Sequence, residues 1–188
     1  MQCSYTMTKK ISDTQSVQEF INIATQYCRL IESRDKKTAL YLFQQAFTIL
    51  PQLCLYGTRL PEIKRVTEYE PPDMNDAQFI YLSLQKLFKQ HDSYRHIFDP
   101  YDIKDKKPTV RSISDDFSDI YRDIAPGLKE WEKATTSERR DIIWEWKFSF
   151  ENHWGDHATS AYNALYSLLY SHIEDESGNY IGIKEKGQ

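Results

Sequence analysis

The chain has 188 residues, 28% of them charged and 40% hydrophobic, with a net charge of -4 and a pI near 5.8. That length suits one domain with a substantial core, and the acidic balance argues against non-specific nucleic-acid binding, which needs a basic surface to displace counterions from phosphates. No stretch nears the ~18 apolar residues of a membrane span, and 6 Gly with 7 Pro mark a turn-poor chain that favours helices.

Met1 to Ile11 carries Lys9 and Lys10 without a following apolar run, so it does not read as a signal peptide. A first helix is expected from Ser16, where Ser16-Val17-Gln18-Glu19 has the form of a capping box. Val17, Phe20, Ile21, Ala24, Tyr27, Cys28 and Ile31 make its apolar stripe. Arg34 to Lys36 make a turn. A second helix points Ala39, Leu40, Phe43, Ala46, Phe47 and Leu50 inward; Pro51 should break or kink it, and Gly57 should end it. Cys3, Cys28 and Cys54 lack metal-ligand spacing, and the last two fall at apolar helical positions. They read as small hydrophobes in a reducing compartment, which places the protein in the cytoplasm.

Residues 61–75 hold Pro61, Pro71 and Pro72 among charges and read as an exposed loop. A third helix is expected from about Asp76 to His91, with Phe79, Ile80, Leu84, Leu87 and Phe88 inside. Residues 98–112 read as a second, locally basic loop. A fourth helix runs from about Ile113 to Trp131 under a Ser112 or Ser114 cap, bent near Pro126-Gly127. The fifth and longest runs from Thr136 or Ser137 to about His172 and should be central. These elements predict an all-α, single-domain bundle of about five main helices over residues 14–172. Residues 1–13 and 173–188 are expected to be loosely attached tails, the second with a short strand or disorder.

The fifth helix carries the unusual chemistry, concentrated in Trp144 to His157. At ~100° per residue, Trp146, Phe150, Trp154, Ala161, Leu165 and Leu168 share one arc; Trp144, Phe148, Tyr162, Tyr166 and Leu169 share another. Glu145 and Asp156 fall on the polar strip. His153 and His157 lie beside Trp146 and Phe150, and Glu151 lies within the second apolar arc. Buried carboxylates and imidazoles are costly unless paired.

His153 and His157 are one turn apart, the spacing at which two imidazoles share a metal from one helix face. On the fourth helix Asp116, Asp119 and Asp123 form a ridge able to supply further ligands. A divalent metal held by His153, His157, Asp116 and Asp119 would serve a hydrolase, with Glu151 as general base. Arg122, Asp123, Trp146 and the His91-Asp92 pair are further candidate site residues. The plainer meaning of the same pattern is a hydrogen-bonded histidine pair and a salt-bridged acidic face. Asp-Asp-x-x-Asp also occurs in diphosphate-using terpenoid synthases, but this chain is too short for that fold and lacks a second acidic motif. No Gly-rich phosphate loop, nucleophile elbow or reactive Cys/His setting is present.

Three motif groups together resemble a known family. They are His91-Asp92, Tyr94 and Phe98-Asp99-Pro100; Asp115-Asp116, Asp119-Ile120-Tyr121-Arg122-Asp123 and Gly127-Leu128; and Trp144-Glu145-Trp146, Phe148-Ser149-Phe150-Glu151, His153-Trp154-Gly155 and His157. The family is the bacterial domain of unknown function family 5063, and the similarity covers most of residues 16–170. Lys147 stands where the pattern has Arg. The resemblance implies a small helical protein in a bacterium and brings no established activity. Two functions are in view, the first as the principal reading and the second as its alternative. One is an interaction or regulatory module with a protein partner or a second copy, drawn from the 14% aromatic content and tyrosines such as Tyr166, Tyr170 and Tyr180. The other is the metal-dependent hydrolase, acting on a phosphoester or another small molecule. Neither nucleic acid nor membrane is an expected partner.

Overall fold

The apolar stripes dictate which helix faces come together in the computed structural model, which describes residues 14–67, 72, 77–97, 99–104 and 107–171. Helix α1 (Gln15–Glu32) buries Val17, Phe20, Ile23, Ala24, Tyr27, Cys28, Leu30 and Ile31, and a single 3-10 turn at Arg34–Lys36 follows it. Its N-cap is Thr14, and Ser16 lies inside the helix, so the expected capping box is not used. Helix α2 (Ala39–Thr58) begins at a Thr38 cap and runs straight through Pro51. Pro51 is exposed, so water can reach the helical carbonyl that the proline leaves without a donor.

Helix α3 (Ala77–Phe88) ends in a 3-10 turn at Lys89–His91. Ile80, Leu84 and Phe88 are buried as expected, whereas Phe79 is 63% exposed. Strands β1 (Ser93–His96) and β2 (Thr109–Ser112) then pair antiparallel, with Ser93 opposite Ser112 and His96 opposite Thr109. The basic loop expected over 98–112 thus ends in a strand. Two four-residue polar strands carry no apolar alternation, the signal by which a strand is read from sequence.

Helix α4 (Ile113–Trp131) is capped by Ser112, whose hydroxyl accepts from the Asp115 amide at 3.3 Å. Pro126 and Gly127 lie buried within it, and a Cβ at Gly127 would stand 2.7 Å from Trp146 Nε1. Helix α5 (Thr136–Ser149) opens on a reciprocal capping box between Thr135 and Glu138. A π turn (Phe150–Trp154) joins it to α6 (Gly155–Tyr170), so the helical run from Thr136 to Tyr170 is one long C-terminal rod with a one-residue slip in phase.

Contacts link α1 to α2, α2 to α6, α6 to α4 and α4 back to α1, closing a ring of four helices, with α3 packed on α4. The fold is all-α apart from the small hairpin. Trp146 lies at the core, 5.1 Å from the Phe20 ring and 5.4 Å from that of Trp131, with its N–H donated to the Ile124 carbonyl. Among the described residues no helix is long and apolar enough to cross a membrane. Cys28 is buried and Cys54 half-buried, both free; burial raises the Cys54 thiol to about 11. Cys3, Tyr180 and the tail beyond Ser171 lie outside the described residues.

Candidate metal centre

Helix α4 sets its three aspartates at i, i+3 and i+7, and the rod from α5 to α6 sets the two histidines opposite them. His153 lies in the π turn and His157 in the first turn of α6, with ring centroids 4.7 Å apart. His153 Nδ1 is 2.7 Å from Asp123 Oδ2, and His157 Nδ1 is 2.9 Å from Asp116 Oδ1. A carboxylate can only accept, so Asp123 assigns the proton of His153 to Nδ1 and leaves its Nε2 with a lone pair. His157 Nδ1 also lies 2.8 Å from an Arg111 nitrogen, which can only donate, and its Nε2 faces the Asp119 carboxylate, so its contacts do not select one tautomer. Both Nε2 atoms turn toward one oxygen, Asp119 Oδ2, at 3.3 Å from His157 and 3.9 Å from His153.

Asp119, His153 and His157 each offer one ligand atom, and these three atoms lie within 4.8 Å of one another. A cation bonded at roughly 2.0–2.2 Å to each ligand would hold them roughly 3–3.6 Å apart. The His157 distance already fits, and the His153 distance needs a closure of a few tenths of an ångström. The second oxygen of Asp119 accepts from Arg122 at 2.7 Å, and the same guanidinium lies 3.8 Å from Asp123.

Asp116, expected among the ligands, has another task. It is fully buried; Oδ1 accepts from His157 and from Arg111 (2.8 Å), and Oδ2 accepts the Tyr94 hydroxyl at 2.6 Å. Arg111 on β2 also reaches Asp156 at 2.6 Å and approaches Ser160 and His96, each at 3.4 Å. The hairpin therefore closes one side of the cluster. Burial alone would lower the His157 pKa, but the hydrogen bond and charge of Asp116, with Asp119, outweigh it and raise the imidazole above its ordinary value. Burial also works against the Arg111 charge, which Asp156 and Asp116 more than restore. Burial, then Asp116, pushes the Tyr94 phenol far up, so it remains a donor. Asp115 is exposed, one turn before Asp119, and burial of part of its carboxyl and the Asp119 charge raise it.

Several expected site residues are elsewhere. Glu151 is 51% exposed and pairs with Lys147 at 3.2 Å. It is not in a buried arc: with Phe148 three residues before it, it lies on a face of the rod that is open to solvent. Phe148 and Tyr166, expected on the second apolar arc, are exposed as well. Trp146 is core. Asp92 is buried, with its oxygens taken by the Ser114 amide and hydroxyl, both at 2.8 Å; it anchors the start of α4. His91 contacts the Gln90 side chain and is absent from the cluster. Arg111, His96, Asp156 and Ser160 were not legible as site residues. Arg111 in particular sits in a short polar strand just before the α4 cap, five residues from Asp116, and only the tertiary fold brings Asp156 and His157 of α6 within its reach.

A family model described as "Domain of unknown function (DUF5063)" matches residues 12–171. Among solved structures, the crystal structure of protein BF1032 from Bacteroides fragilis matches with a TM-score of 0.76, over 88% of this chain and 99% of that one, at 20% sequence identity. That likeness concerns the fold. No curated protein matches the chain in sequence.

Proposed function

The chain belongs to the DUF5063 family, and from the site geometry we propose that it binds one divalent metal through Asp119, His153 and His157 and uses it for hydrolysis. One observation carries this reading: both imidazoles are pinned at Nδ1 by a carboxylate, and both Nε2 atoms converge on a third. Carboxylate–histidine pairs of this kind orient metal-binding imidazoles and raise their basicity. Two imidazoles and one carboxylate favour Zn2+, Mn2+ or Fe2+ over Mg2+, and leave coordination positions open for water.

A metal-bound water would supply the nucleophile at neutral pH. Asp115, exposed beside Asp119, replaces Glu151 as the candidate base, and the half-exposed Arg122 is the cation available to an anionic group such as a phosphoester. The test is titration calorimetry with Zn2+ and Mn2+, followed by hydrolysis of bis(p-nitrophenyl) phosphate. One equivalent should bind and raise the Tm, and Asp119→Ala or His157→Ala should abolish both effects. An unmoved Tm with no stoichiometric metal would overturn the proposal.

A second reading, as an interaction module, is supported by an aromatic surface on α2 and α6. Phe47 stacks on Tyr162 at 4.7 Å, and beside it Tyr166 and Tyr170 are 53% and 64% exposed. A protein partner or second copy covering it would be displaced by Tyr166→Ser with Tyr170→Ser. Strictly monomeric sedimentation at high concentration, with no partner recovered, counts against it. The free Cys28 and Cys54 suit a reducing compartment, which supports a cytoplasmic setting.

A further inference from the structure

A two-stranded hairpin is marginal unless one of its faces packs on something. The register of β1 and β2 places Tyr94 directly opposite Arg111. Residues opposite one another in an antiparallel pair share a face of the sheet, and here both side chains run to the same carboxylate. The Tyr94 hydroxyl donates to Asp116 Oδ2 at 2.6 Å, and Arg111 donates to Oδ1 at 2.8 Å. The next pair, Arg95 opposite Val110, lies on the other face, and both residues are exposed. Val110 is the one aliphatic residue of the two strands, so the inward face is committed to polar contacts with Asp116 and not to aliphatic burial.

Asp116 is fully buried, and the donors around it set the direction of each oxygen. Oδ1 meets two of them, Arg111 and His157 Nδ1, the second at 2.9 Å. Arg111 also stands 2.8 Å from that same imidazole nitrogen. A guanidinium only donates, so this contact alone favours a ring proton on Nε2. A metal at Nε2 needs the opposite arrangement, with the proton on Nδ1 and a carboxylate accepting it. Oδ1 must therefore stay against His157, and the carboxylate can be kept there only if its other oxygen is held. Tyr94 holds it, through an O–H···O contact in the short range typical of charge-assisted bonds.

We propose that Tyr94 is a positioning residue of the metal centre, acting through Asp116 on the His157 ring; the inference rests on the metal-binding reading of Asp119, His153 and His157. The hydroxyl fixes which Asp116 oxygen faces the imidazole, and so keeps Nε2 turned to Asp119 Oδ2 at 3.3 Å. Without it the carboxylate is free to turn about its Cβ–Cγ bond, and Arg111 competes for the ring nitrogen.

The test is calorimetric titration of the full chain with Zn2+, with the visible absorption of the Co2+-saturated protein as a second readout. Tyr94→Phe keeps the ring and removes only the hydroxyl. It should weaken Zn2+ binding about tenfold and alter the Co2+ bands, because His157 then meets the metal in another orientation. A purely structural role leaves the spectrum at saturation unmoved. Arg95→Ala, on the outward face of the same strand, controls for a general loosening of the hairpin and should leave both readouts unchanged. A wild-type chain that binds no Zn2+ overturns the metal reading and this inference together. Wild-type binding with Tyr94→Phe equally tight and its Co2+ spectrum unaltered, or with the same loss in Arg95→Ala, overturns this inference alone.

Discussion

Asp116 meets no solvent, yet its two oxygens accept from Tyr94, Arg111 and His157. Removing one side of such a buried arrangement strands the others. Asp116→Ala should therefore cost about 3–5 kcal/mol in urea unfolding, and it should free the His157 ring and weaken metal binding. Asp141 shows the same logic outside the site. Its carboxylate accepts from the Val66 amide at 2.6 Å, the Thr67 amide at 2.8 Å and the Thr67 hydroxyl, pinning the loop after α2 to α5. Burial would raise its pKa, but the Thr67 hydroxyl and the two amides overcome this and hold it below the ordinary value. A lowered carboxyl stabilises the fold above the unfolded-state value, and the contribution is lost as pH falls through the lowered one. Asp141→Asn should cost about 1–3 kcal/mol at neutral pH, and less as the acid limb of the stability profile is entered.

The π turn does most at the scale of elements. It inserts one residue into a rod that would otherwise carry His153 and His157 around in strict α phase, and it brings both Nε2 atoms toward Asp119. Gly155 permits it: a Cβ there would overlap the Phe150 carbonyl oxygen, a backbone atom that cannot swing aside. Gly155→Ala should cost about 1–3 kcal/mol and reduce metal affinity with every ligand residue intact, readable by calorimetry beside a thermal melt. An unchanged affinity would show that the turn does not set the site. The positions of the helices were legible because their apolar faces repeat at 3.6 residues. The slip at Phe150 was not, since an α and a π turn draw on the same residues and differ by one hydrogen-bond register. Glu151 was misplaced because the arc it shares with Phe148 faces solvent, which periodicity does not reveal. Phe79 lies on an apolar helix whose outer face nothing described here covers, and periodicity alone does not tell a covered face from an open one.

The whole molecule closes as a four-helix ring that holds α4 against α6, and its pH response follows from what that contact does to His157. The raised His157 pKa means that protonation stabilises the metal-free fold. That contribution is complete below the unfolded-state value and is lost as pH rises through the raised one. A bound metal reverses the sign, because it takes the neutral imidazole. The Tm of the protein in EDTA should fall as pH rises above the ordinary imidazole value of about 6.5, while the increment from Zn2+ should grow over the same range. An increment independent of pH would show that His157 is not a ligand.

The sequence by itself determined the helical class, the approximate span of α4 with a serine at its cap, and a rod whose His153 and His157 face the acidic ridge of α4. All of these follow from local periodicity and from the cost of burying unpaired charge. The structure chose Ser112 over Ser114 as the cap. Only the tertiary structure decided which carboxylate does what. Asp119 faces the Nε2 atoms of both imidazoles, whereas Asp116 and Asp123 contact the Nδ1 sides of the rings. That division depends on how far the rod slips against α4 and on a hairpin that delivers Arg111 and Tyr94 from strands too short and polar to show themselves. Which ring nitrogen each carboxylate meets is fixed by packing between elements far apart in the chain.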